Sequence, residues 1–245
     1  MRRGTPKSRR GWHRGQVVTS ATPAPVWTPE TDLDNIAAIW SADSGITITG
    51  SGVSDWAPST GSVSSFAQTV DADRPEIATV NGVDALRTDG VDTWLKHDNE
   101  AIVSSLPMSV WVCGIPRTTA AFARWLVFIS TTMEIRFSNT SGTVQFRLGG
   151  TSVTGSGSNI GNLITACFTI DASANTHCYV NATSIGTSAS ASTPNSLSDW
   201  ALGAFNDGSA LAAVDTFKIV VTSDELTTDE LTALQTYATT TFGGS

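Results

Sequence analysis

A retaining glycoside hydrolase needs two carboxylates held about 5–5.5 Å apart. This chain offers six glutamates for such a pair: Glu30, Glu76, Glu100, Glu134, Glu225 and Glu230. Glu134 has the best context, in a segment that alternates apolar and polar residues. Its neighbours are Ile135 and Arg136, however, and it reads as a solvent-facing strand carboxylate. Nucleophilic catalysis has no firmer footing. His13, His97 and His177 are far apart, there is no Gly-x-Ser-x-Gly elbow, and strand alternation would send His177 and Cys178 to opposite faces. Cys113, Cys167 and Cys178 lack zinc-ligand spacing and read as small buried hydrophobes, with a Cys167–Cys178 disulfide left open. Calcium takes carboxylates and carbonyls, and Asp89, Asp92 and Asp207 are its candidate ligands, although such residues also serve simply to form turns. Gly149-Gly150 and Gly155-Ser156-Gly157 lack the Lys and helix of a phosphate loop. The residues thus point away from an enzyme, and they require no cofactor.

Binding chemistry is better represented. Aromatic faces can stack on sugars, and the chain has eight tryptophans. Trp94, Trp111, Trp125 and Trp200 fall in apolar segments and read as core. Trp56 lies in a polar stretch, so it is the expected glycan platform, with Asn206 and Asp207 of the 203–208 loop beside it. Trp12 and Trp27 lie nearer the N-terminus and read as exposed or docked on a partner.

Charge is divided sharply along the chain. Residues 1–16 hold Arg2, Arg3, Lys7, Arg9, Arg10 and Arg14 and no acid, a charge of +6; residues 17–245 hold 8 basic against 22 acidic side chains, a charge of −14. Gly4, Pro6, Gly11, Gly15, Pro23, Pro25 and Pro29 interrupt any helix in the first thirty residues. We therefore read residues 1–30 as an extended basic arm and 31–245 as a folded domain. A body of −14 repels nucleic acid, while Trp12, Trp27, Val17, Val18 and the prolines suit an acidic protein surface, so the arm is expected to dock on protein. No run of 18 apolar residues could span a membrane, and no apolar segment follows the basic start as a secretory leader would require.

The elements that must position these residues read as strands. Asn81-Gly82 and Asp89-Gly90 are turn dipeptides expected to fold neighbouring strands back on one another. Residues 34–40 suit a strand or a helical turn, and residues 44–65 read as a Gly/Ser/Thr-rich loop. Apolar runs at 109–115 and 125–130 follow. Met133, Ile135 and Phe137, then Val144, Phe146 and Leu148, alternate with polar residues around a short loop, the pattern of a hairpin. Further strands are expected at 163–170, 176–182, 200–205 and 215–222. Thr227 and Glu230 form a capping box with Leu226 and Leu231 as its staple, which starts a helix carrying Leu231, Leu234 and either Tyr237 or Ala238 on one side.

The run Arg74-Pro75, Asn81-Gly82, Ala85-Leu86, Asp89-Gly90 and Trp94-Leu95 resembles a pattern recurring in concanavalin A-like (laminin G-like) jelly-roll domains. The closing helix is similar to the end of such domains in phage and bacterial proteins, so the resemblance spans about residues 39–243. It implies an all-β concanavalin A-like β-sandwich jelly roll with a short C-terminal helix, and calcium on one rim. Laminarinase-type hydrolases share this architecture but place Glu-x-Asp-x-x-Glu on one strand, and that motif is absent here. The expectation is a non-catalytic bacteriophage virion protein on the particle surface, a capsid decoration or head fibre anchored by its arm. Its partners would be other virion proteins and host glycans, in a homo-oligomer or lattice-bound state. A tail receptor-binding protein and a secreted glycan-binding adhesin are the alternatives, with a glycan-active hydrolase behind them.

Overall fold

The computed structural model describes residues 26–97, 101–118, 120–128, 133–188, 199–205 and 208–244. In chain order its elements are α1 (Pro29–Asp32), β1 (Ile36–Ser41), β2 (Ile46–Thr49), β3 (Gly52–Trp56), β4 (Phe66–Ala67), β5 (Glu76–Val80), β6 (Val83–Asp89), β7 (Leu95–His97) and β8 (Met108–Thr118). They continue with β9 (Arg124–Phe128), β10 (Met133–Phe137), β11 (Val144–Leu148), β12 (Thr151–Thr154), β13 (Ile164–Ile170), β14 (Thr176–Val180), β15 (Thr183–Ser188), β16 (Trp200–Leu202), β17 (Ala213–Thr222) and α2 (Thr228–Phe242).

The strands form two antiparallel sheets. One is eight-stranded, in the order β15-β14-β13-β8-β17-β6-β5, with β1 also paired to β17; the other is nine-stranded, in the order β12-β11-β10-β9-β16-β7-β4-β3-β2. Period-2 alternation decides which face of each strand turns inward. On β10 and β11, Met133, Ile135, Phe137, Val144, Phe146 and Leu148 enter the core between the sheets, where they meet Val110, Val112, Phe168 and Ile219 of the eight-stranded sheet. The expected all-β sandwich with a closing helix is the observed architecture.

A second apolar layer covers the outside of the eight-stranded sheet. Leu231, Leu234, Ala238 and Phe242 of α2 pack against Trp111, Cys113, Cys167, Phe217 and Val220. Burying each leucine contributes about 1.5–3 kcal/mol. The capping box forms as the sequence requires, with the Thr227 side chain accepting from the Glu230 amide and Glu230 reaching back to Thr227. Glu30 of α1 forms an ion pair with the buried Lys218 of β17, and Trp27 meets Tyr237 of α2 edge-on, centroids 6.2 Å apart. The described start of the chain therefore lies on the α2 side of the sandwich.

Several expectations need correction. Residues 44–65 contain the β2–β3 hairpin and are not simply a loop. Residues 34–40 resolve in favour of a strand, since β1 pairs with β17. Asn81-Gly82 does close the β5–β6 hairpin, with φ of 54° and 81°. Asp89-Gly90 does something else, because β6 belongs to the eight-stranded sheet and β7 to the nine-stranded one. That turn carries the chain across the sandwich. The three cysteines are buried and free. Cys178 faces the central core while Cys167 faces α2, so the sheet itself keeps their sulfurs apart. Burial pushes the Cys178 thiol up to about 12.

Candidate functional site

Trp56, the expected glycan platform, is wholly buried. It ends β3, packs beside Phe66, and donates its indole N–H to the Ser41 carbonyl at 3.0 Å. An indole in that position supports the core and presents nothing to a sugar. Of the four tryptophans expected in the core, Trp111, Trp125 and Trp200 are buried and Trp94 is not. Leu95 turns inward at the start of β7, so its neighbours Trp94 and Lys96 point to the outer face of the nine-stranded sheet.

There Trp94 is partly exposed and lines a cleft of about 450 Å³ with Ser65, Ala67, Gln68, Asp73 and Lys96. The backbone holds it in place: its amide donates to the Asp73 carbonyl at 3.0 Å, and its carbonyl accepts from Gln68 Nε2 at 3.4 Å. A partly exposed indole beside Lys96 and Asp73 offers an apolar face with charged hydrogen-bonding groups near it, while the Gln68 carboxamide is used within the cleft wall, its Oε1 accepting from the Val70 amide at 3.0 Å.

The same face carries a second cluster. The outward residues of the β10–β11 hairpin are Glu134 and Arg136 opposite Arg147 and Gln145. Arg124, at the start of β9, joins them. All three guanidiniums converge on one carboxylate: Glu134 lies 3.4 Å from Arg124 Nε, 3.2 Å from Arg136 Nη1 and 3.4 Å from Arg147 Nη1. Glu134 is therefore not a solvent-facing carboxylate; its side chain is 2 % exposed, committed to ion pairs beneath its arginines. Arg136 also donates to Gln145 Oε1 at 2.7 Å. The guanidiniums of Arg136 and Arg124 each lie 4.8 Å from a ring centroid, Phe122 and Phe205 respectively.

Register sets the separation of the two clusters. Lys96 pairs with Ala201, Ala201 with Val127, and Val127 with Glu134. Three strand spacings put Lys96 and Glu134 about 14 Å apart. The 203–212 loop links them, since Phe205 lies under Arg124 and a Cβ on Gly208 would come 3.3 Å from the Trp94 indole nitrogen. Asn206 and Asp207 lie outside the described residues.

The calcium candidates behave differently. Asp89 Oδ1 accepts from the amides of Val91, Asp92 and Thr93 at 2.8, 3.1 and 3.2 Å and from the Thr93 hydroxyl at 2.9 Å. Burial alone would raise this carboxyl, but the Val91, Thr93 and Asp92 amides outweigh it and hold the group at about 2. An oxygen ringed by N–H donors is the acceptor of its own turn, while Asp92 stands exposed beside it. Among the described residues, no group of three or more His, Cys, Asp or Glu side chains is arranged to hold a metal ion. Arg2, Arg3, Lys7, Arg9, Arg10, Trp12 and Arg14 lie outside the described residues.

Sequence reasoning missed Trp94 and the arginines. The signal was present in the hairpin, whose polar alternate positions are Glu134, Arg136, Gln145 and Arg147, three of them charged. Arg124 has no such signal, because it arrives through a bulged β9–β10 pairing.

No family model and no curated protein matches the chain. Solved structures do match it in fold. Domain 4 of the extracellular arabinanase AbnA from Geobacillus stearothermophilus, a GH43 enzyme solved with arabinotriose, aligns at 15% identity over 82% of this chain and 98% of that domain, with a TM-score of 0.61. Trypanosoma rangeli sialidase aligns at 12% identity over 92% of this chain and 36% of its own, with a TM-score of 0.59. The binding domain of paraclostridial mosquitocidal protein 1 aligns at 11% identity over 82% of this chain and 52% of its own, with a TM-score of 0.53. The chain thus spans about a third of the sialidase and about half of the toxin domain. At these identities the likeness establishes a shared β-sandwich fold.

Proposed function

We propose that this domain is a non-catalytic carbohydrate-binding module whose ligand lies on the outer face of the nine-stranded sheet, with Trp94 as its stacking platform. The observation that carries this reading is the partly exposed Trp94 in a cleft with Gln68, Asp73 and Lys96. The arabinanase domain solved with arabinotriose supports it by fold. A glycan array on the full chain, followed by calorimetry on the hits, tests it. Trp94→Ala is expected to weaken binding at least tenfold without loss of fold. An array with no hit, or unchanged affinity in the variant, overturns the reading.

We further infer that the arm, residues 1–30, tethers the domain to a bacteriophage particle, as a capsid decoration or head fibre. The +6 of the arm against the −14 of the body supports a docking role. Geometry supports it too. Trp27 and Glu30 lie on the α2 side, beyond the eight-stranded sheet, whereas Trp94 and the arginine cluster lie beyond the nine-stranded one. Anchoring by the arm would leave the ligand face pointing outward. Deleting residues 2–26 is expected to abolish occupancy on purified particles; full occupancy rejects the tether. Recovery with tails favours a receptor-binding protein, and recovery only from culture medium favours an adhesin.

A further inference from the structure

Six of the eight basic residues of the body are arginines, and they stand in two groups of three. Arg74, Arg87 and Arg117 lie together beside β5 and β6, lining a common cleft with Glu76 and Asp89. Carboxylates match them: Arg74 pairs with Asp71, Arg87 with Glu76 and Asp215, and Arg117 with Asp215. Arg124, Arg136 and Arg147 are not matched in this way. Among the described residues their ion pairs all go to Glu134, so three positive charges share one negative charge.

Among the described residues, this leaves an excess of two guanidinium charges, and that excess has a cost. Arg124 and Arg136 are 17 % and 11 % exposed, so water screens them weakly. Burial and the adjacent Arg147 and Arg124 hold the Arg136 guanidinium below its ordinary value despite Glu134. The cluster is nevertheless rigidly prepared. Phe205 and Phe122 back two of the guanidiniums, Gln145 fixes the Nε of Arg136, and Arg147 stands 41 % open to solvent. Phe122 keeps 49% exposure at a φ of 62°, a conformation unfavourable for a bulky side chain. Planar, preorganised guanidiniums suit the paired oxygens of an oxyanion.

We propose that Arg124, Arg136 and Arg147 form an oxyanion site, which receives the carboxylate or sulfate of an acidic saccharide. The saccharide part of this proposal rests on the glycan reading of the same face, with a sugar ring at Trp94, whose cleft neighbour Lys96 lies about 14 Å from Glu134 across three strand spacings. Carboxylate and sulfate present the same acceptor chemistry, and the test separates them.

The full chain is titrated with two bare anions, sodium acetate and sodium sulfate, while the side-chain Nε–H signals of its arginines are followed by NMR. Saturable shifts are expected at Arg124, Arg136 and Arg147 and not at Arg74, Arg87 and Arg117. The anion giving the tighter saturation names the preferred group. Arg147→Gln is expected to weaken the saturation about tenfold, with Arg147→Lys intermediate. No saturable shift, equal shifts in both groups, or an unchanged titration in Arg147→Gln overturns the oxyanion site. Because these probes carry no sugar, the result is independent of Trp94. Anion binding with no effect of Trp94→Ala on glycans keeps this site and removes the platform, and the reverse result keeps the platform and removes this site.

Discussion

The two outer faces of the sandwich handle buried charge in opposite ways. On the eight-stranded sheet, α2 closes the surface and each buried charge there has its partner. Lys218 of β17 pairs with Glu30, while Asp215 receives Arg87 and Arg117. On the nine-stranded sheet, three arginines crowd one glutamate and a tryptophan is left partly exposed. Matched buried charge needs nothing from outside the chain. Unmatched charge, backed by aromatic rings and held in register by a hairpin, is an arrangement that a ligand would complete.

The largest expected effect tests the unmatched side. Glu134→Gln removes the one carboxylate that the three guanidiniums share, and is expected to cost about 3–5 kcal/mol in denaturant unfolding. A cost near zero would mean that the cluster is already well solvated and that the contrast between the faces is weak.

On the matched side, Glu30→Gln is expected to cost about 1.5–3 kcal/mol at neutral pH, because Lys218 stays buried without its partner. Burial lowers the Lys218 ammonium, but Glu30 and Tyr237 outweigh it and leave the group above its ordinary value. A raised lysine contributes stability that is complete below its unfolded value, about 10.4, and is lost as pH rises through the folded one. The gap between wild type and variant should therefore narrow in strongly alkaline solution. A gap that widens there would contradict the pairing.

A smaller effect belongs to the turn that joins the sheets. Asp89→Ala should cost about 0.5–2 kcal/mol, as loss of a comparable side-chain cap does. With its carboxyl held at about 2, Asp89 stabilises the fold above the ordinary aspartate value and loses that contribution as pH falls toward 2. Wild-type and variant acid-unfolding curves should converge at that end.

The smallest expected signal is none at all. Cys113 and Cys167 are buried with thiols pushed well above their ordinary value, and burial does the same to Cys178. A thiol reagent at pH 8 should titrate none of the three until the protein unfolds, and rapid labelling of Cys167 would show that α2 lifts from its sheet.

Local chemistry made much of the fold legible. Asn81-Gly82, the Thr227–Glu230 box and the β10–β11 alternation are short-range signals, and each element forms where its residues indicate. Trp56 shows the limit. Its segment is Ser- and Gly-rich, and Ile48 on the partnering strand is 63% exposed, so nothing local tells that the indole turns into the core. Trp94 was readable in principle, because alternation sends one of Trp94 and Leu95 outward. Glu134 was recognised as a strand carboxylate, but its burial depends on Arg124, ten residues away, and on Arg147 across the hairpin. The Asp89-Gly90 crossing was illegible for a similar reason, since a turn dipeptide does not say which sheet receives the next strand.

Strand β17 has a consequence for how the chain is made. It pairs with β8 on one side and with β6 and β1 on the other. Without it the eight-stranded sheet falls into separate pieces with open apolar edges. Yet β17 ends at Thr222, late in the sequence, so a ribosome must deliver nearly the whole domain before that sheet can close. A nascent chain stalled before residue 213 would carry the unpaired edges of β1, β6 and β8, the kind of surface that recruits chaperones or aggregates.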